Sequence, residues 1–113
     1  TYGGNPVVCA AANAVIDTLD EAFLAQVTQR SDALAAALHE KLKDKQGFVH
    51  VRHLGMLIGI EFDHDLSALV QQALEAGLLI NVTQQNTIRL LPPLNISEQD
   101  SDILVEKLAA LLP

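Results

Sequence analysis

The sequence predicts an α+β domain, with helices packed on one face of a largely antiparallel sheet and an apolar helix ahead of it. Three observations predict it. Apolar residues recur at helical spacing in long segments, most clearly over residues 21–45. Short segments alternate apolar and polar residues, and they come in two pairs, each joined by a turn and therefore antiparallel. The resulting order is α, α, β, β, α, β, β, α, with no internal repeat, linker or low-complexity stretch.

The first helix starts at Pro6, which suits the first helical position behind Asn5 as N-cap, and runs to about residue 19. A glycine pair, Gly3-Gly4, precedes it. Such a loop feeding a helix can receive an anion through free backbone N–H groups, although a plain capped start uses the same residues. Val7, Val8, Cys9, Ala10, Ala11, Ala12, Ala14, Val15 and Ile16 leave this helix almost no polar face. A helix apolar all round is normally buried on all sides. A chain of 113 residues cannot easily wrap one, so the helix is expected to rest against further chain or a second subunit. Alone, the chain is expected to self-associate.

The second helix, residues 21–45, carries a stripe of Phe23, Val27, Leu34, Leu38 and Leu42, with Gln29, Arg30, Asp32, Glu40 and Lys43 facing water. It stops before Gly47. Residues 48–62 read as two strands about a turn near Leu54-Gly55: Val49 and Val51 alternate with His50 and Arg52, then Ile58, Ile60 and Phe62 with Leu57, Gly59 and Glu61. His50 and His53 are three apart and so lie on opposite faces of a strand, with no third ligand nearby; no metal site is expected. Asp65 is read as the cap of a third helix that buries Leu66, Leu69, Val70, Ala73 and Leu74 and ends at Gly77. Residues 78–82 form a strand, Gln84-Gln85-Asn86 a turn, and residues 87–91 the returning strand. Ser97 opens the last helix, with Glu98 and Asp100 at its positive end and Ile103, Leu104, Leu108 and Leu111 buried.

Composition narrows the function. The length is that of one domain, and with 50% apolar and 19% charged residues a core is within reach. A net charge of −7 argues against a nucleic-acid partner. Asn13 and Asp17 break up the most apolar stretch, so no membrane span is expected. A lone cysteine, Cys9, excludes an internal disulfide and fits a reducing, cytoplasmic setting. With neither an initiator Met nor a basic leader, and a start inside a glycine loop, the chain reads as a piece of something longer.

One stretch demands chemistry. In Ile88-Arg89-Leu90-Leu91-Pro92-Pro93-Leu94 a guanidinium sits in an apolar strand that two prolines end. An unpaired buried charge costs several kcal/mol, so Arg89 needs water or an anion. The residues leave two readings open. Arg89 lies on the solvated face of an edge strand and pairs with a neighbouring acid, or its planar fork grips a carboxylate or phosphate.

Three blocks, taken together, resemble one family. They are Thr1-Tyr2-Gly3-Gly4-Asn5-Pro6, then Val51-Arg52-His53-Leu54-Gly55-Met56-Leu57-Ile58-Gly59-Ile60-Glu61, then residues 77–83 continuing into residues 88–94. In this order and spacing they resemble the C-terminal part of class III, fold-type I, pyridoxal-phosphate aminotransferases, in particular the acetylornithine branch. His53 departs from the family, which often has glycine there. The resemblance implies that Thr1 reaches across a homodimer to the cofactor phosphate of the other subunit, and that Arg89 binds the α-carboxylate of the amino-acid or 2-oxo-acid substrate. Asn81 matches the acetylornithine branch and is expected to make a polar contact near the substrate. It also implies that residues 1–19 are the anion-receiving loop and interdomain helix, and residues 20–113 the C-terminal small domain. The reaction implied is transfer of the δ-amino group of N-acetylornithine to 2-oxoglutarate, in arginine biosynthesis. No block matches the one that carries the family's Schiff-base lysine, so no catalytic residue is assigned here. The piece alone is expected to be inactive and to bind no cofactor. Alternatives are an ornithine or other ω-amino-acid aminotransferase, or a stand-alone carboxylate-binding regulatory module.

Overall fold

A computed structural model describes residues 3–113 of the chain. The elements are α1 (Pro6–Thr18), α2 (Glu21–Leu42), β1 (Phe48–Leu54), β2 (Leu57–Phe62), α3 (Leu69–Glu75), β3 (Asn81–Thr83), β4 (Thr87–Leu90) and α4 (Glu98–Leu111). The strands form one antiparallel sheet in the order β1-β2-β4-β3, so β4, the strand of Arg89, is interior. Helices α2, α3 and α4 cover one face. The architecture is the expected α+β one, shared with the solved relatives described below.

The core follows from the alternation in the strands. Ile58, Ile60 and Phe62 of β2 and Ile88 and Leu90 of β4 point under the helices and are at most 3% exposed. They meet Leu34, Leu38 and Leu42 of α2, Leu69 of α3, and Val105 and Leu108 of α4. Each such side chain contributes about 1.5–3 kcal/mol by leaving water. Phe62 also stands edge-on to Phe48 and to His64, with centroid separations of 5.9 and 5.7 Å. A smaller cluster of Val27, Met56 and Ile96 fastens the start of α2 to the β1–β2 turn.

Helix α1 begins as expected, with Pro6 in its first turn and the Asn5 side chain accepting from the Val7 and Val8 N–H groups. None of its residues is buried, and Val7 and Ile16 are 78% and 64% exposed. The radius of gyration is 16.3 Å, against roughly 13 Å for a compact domain of 100 residues. The helix projects from the body.

Three boundaries differ from expectation, each for a local reason. Helix α2 ends at Leu42, where the chain turns through Lys43 towards Gly47 at φ +75°. Asp65 accepts from the Ser67 N–H instead of capping α3, and the Leu66 N–H donates to the Gln85 carbonyl, so the helix starts only at Leu69. Strand β3 begins at Asn81 because the Gly77 and Leu78 N–H groups are spent on the Leu74 and Ala73 carbonyls.

Candidate functional site

The face of the sheet away from the helices is uncovered, and pairing register decides what meets there. In one row across the four strands stand Arg52, Gly59, Arg89 and Asn81. In the adjacent row stand His50, Glu61, Thr87 and Thr83. Adjacent strands lie about 4.8 Å apart, so the two arginine backbones are about 10 Å apart with a glycine between them. The register sets Asn81 directly opposite Arg89.

Arg89 is exposed and makes no ion pair among the described residues. It separates two shallow hollows. One, of about 340 Å³, has Arg52 and Arg89 as its walls, Gly59 and Thr87 between them, and Leu54 and Leu57 to one side. The other, of about 420 Å³, is lined by Leu57, Leu79, Asn81, Leu91 and Arg89. The guanidinium therefore presents free donors beside apolar walls, a setting in which a carboxylate is bound through charge-assisted, bidentate hydrogen bonds. A larger hollow of about 480 Å³ lies between α2 and α4, on the helical side.

The first of the two sequence readings of Arg89 does not hold in full. It lies on a solvated face, but on an interior strand and with no acid at its tip. The neighbouring guanidinium is the paired one: an Nη of Arg52 donates to Glu61 Oε2 at 2.6 Å and lies 3.2 Å from His50 Nε2. His50 and His53 do face different partners, Glu61 at 3.9 Å and Asp32 of α2 at 3.8 Å.

Gly59 is the least obstructive residue that could separate the two arginines. A Cβ placed on it would meet Arg52 Cγ and Nε at 3.5 Å and Thr87 Cγ2 at 3.7 Å, which is ordinary contact. A larger side chain would rise into the space between the guanidiniums. Arg52, Gly59 and Glu61 were not singled out from the sequence. Their outward parity was legible, but their closeness to Arg89 required the register of three strands.

The four lysines are all engaged elsewhere. Lys41 pairs with Glu106 and Lys43 with Glu40, while Lys45 donates to the Leu112 carbonyl and Lys107 to those of Ala76 and Gly77. No amine lines either hollow beside Arg89. Among the described residues, the two hollows thus offer guanidinium donors and no amine. Thr1, to which the resemblance gives a cofactor-phosphate contact, lies outside the described residues.

A small α+β domain thus presents an unpaired guanidinium, with free donors, on the open face of its sheet. Residues 1–112 match the model of the class-III aminotransferases, and the chain belongs to that family. It is 43% identical over 113 residues to acetylornithine aminotransferase 1 of Bordetella bronchiseptica, covering 99% of this chain and 29% of that protein. The acetylornithine aminotransferase of Elizabethkingia anophelis superposes with a TM-score of 0.86 at 30% identity, over 99% of this chain and 31% of the other. The ornithine aminotransferase of Toxoplasma gondii, whose active site holds PLP at partial occupancy, gives 0.84 at 26% identity, over 98% and 28%. The chain thus spans under a third of the length of the relatives it matches.

Proposed function

We propose that this chain is the C-terminal small domain of a pyridoxal-phosphate-dependent acetylornithine aminotransferase, and that Arg89 holds the α-carboxylate of the substrate. The observation that carries this reading is the unpaired Arg89 fork between two hollows, on a chain of the class-III family. Held at its carboxylate, an amino acid keeps its distal amino group free to react elsewhere in the site. Asn81, directly across the ladder from Arg89, supplies a neutral polar contact to the same substrate. Pyridoxal phosphate, when bound, supplies the electron sink for amino transfer. No lysine lines the hollows beside Arg89 to hold it.

On this reading Thr1 contacts the cofactor phosphate across a cytoplasmic homodimer, residues 1–19 join the domains, and residues 20–113 form the small domain. The donor is N-acetylornithine and the acceptor 2-oxoglutarate. Ornithine as donor is the second reading, favoured by the likeness to the Toxoplasma gondii enzyme. Profiling the full-length protein with both donors separates the two.

The test of Arg89 is Arg89→Ala in the full-length enzyme. Losing a charge-assisted pair costs about 1.5–3 kcal/mol, so KM for the amino donor and for the 2-oxo acid rises roughly 10- to 150-fold. Steady-state kinetics with unchanged KM for both would overturn the assignment.

A further inference from the structure

Two features of the uncovered face belong together. Glu61 and Arg89 lie on adjacent strands, one pair apart in the ladder, where Gly59 opposes Arg89 and Glu61 opposes Thr87. Diagonal neighbours of this kind are about 7–8 Å apart at the backbone, within reach of a long side chain. Glu61 is thus the acid on that strand best placed to close on the Arg89 fork. It does not, because its carboxylate is held from the other side by Arg52 at 2.6 Å, with His50 behind it.

We propose that Arg52 is a positioning residue: by engaging Glu61 it keeps that carboxylate off Arg89, leaving the Arg89 fork empty for the substrate. The inference rests on Arg89 being the carboxylate binder. The physical argument is competition. A side-chain carboxylate tethered nearby acts as an intramolecular ligand at high effective concentration, and a free substrate must displace it. Removing Arg52 frees Glu61 to act as that competitor. Removing Glu61 as well abolishes the competitor.

The experiment is steady-state kinetics of the full-length enzyme with Arg52→Gln, Arg52→Lys, Glu61→Gln and the double variant Arg52→Gln/Glu61→Gln. The Arg52 side chain is 57% exposed on an edge strand, so its replacement leaves the fold intact. Arg52→Gln is expected to raise KM for donor and acceptor by up to about fivefold with kcat little changed, on the scale of an exposed ion pair competing for the same fork. Arg52→Lys restores the low KM. So does the double variant, to within about twofold, and Glu61→Gln alone stays near the parent value. A pair needed only for structure would instead leave the double variant as impaired as Arg52→Gln, and that result overturns the proposal. Unchanged KM in Arg52→Gln also overturns it. Should Arg89→Ala leave KM unchanged, the Arg89 assignment fails first; should Arg89→Ala raise KM while Arg52→Gln does not, only the role of Arg52 fails.

Discussion

The two faces of the sheet are made by alternate residues of the same strands, yet they differ in kind. On the helix side, Ile58, Ile60, Phe62, Ile88 and Leu90 are almost wholly withdrawn from water. On the other side, Gly59, Glu61, Thr87 and Arg89, one step along the same strands, carry a glycine, an acid, a hydroxyl and a base. A buried apolar face and an open polar one are thereby separated by a rotation of 180° per residue. On the proposed reading, a substitution at Ile58, Ile60 or Phe62 is felt as folding, and one at Gly59 as binding.

The largest effect belongs to the covered face. Phe62→Ala removes a fully buried ring and should lower stability by about 3–5 kcal/mol, read as a drop in the denaturant midpoint. A loss below about 1 kcal/mol would mean that the helical face is not the core. Gly59→Val comes next, on the open face. The branched side chain suits a strand, so Tm should hold or rise, while KM for carboxylate substrates rises roughly tenfold as the methyls crowd the space between Arg52 and Arg89. A fall in Tm with KM unchanged would reverse the assignment of the two faces.

The smallest effect lies beyond the sheet. Hydrogen bonds from Ser67 hold the Asp65 carboxyl below its ordinary value of 3.8. Its folded value is the lower one, so its contribution is present above 3.8 and disappears as pH falls through the folded value. Acid titration of stability should therefore be slightly shallower below pH 4 in Asp65→Asn than in the parent chain. Identical acid limbs would show that this turn contributes nothing.

Much of this arrangement was legible in the chain itself. The stripe of α2, both hairpins, the capped start of α1 and the oddity of Arg89 follow from spacing and residue type. The unfaced apolar surface of α1 was legible too, as a helix with nothing polar to show water. The remainder depended on contacts between distant segments. Asp65 reads as a helix cap until the Leu66 N–H is known to bond Gln85, and Leu78 reads as the start of a strand until its amide proves to be closing α3 on Ala73. The pairing of Arg52 with Glu61 was hidden for a similar reason: each residue reads as an ordinary surface charge on its own strand.

The loop between β3 and β4 has a practical consequence. Gln84 and Gln85 both adopt left-handed backbone angles, at φ 54° and 66°, where side chains with a Cβ are disfavoured. They stay there because neighbouring groups hold the loop from outside, with the Gln85 carbonyl accepting from Leu66 and the Asn86 carbonyl from Phe62. This hairpin is therefore a reserve of unused robustness. An engineer seeking a hardier domain could rewrite those two glutamines as the asparagine and glycine that such a bend prefers, several residues away from Arg89.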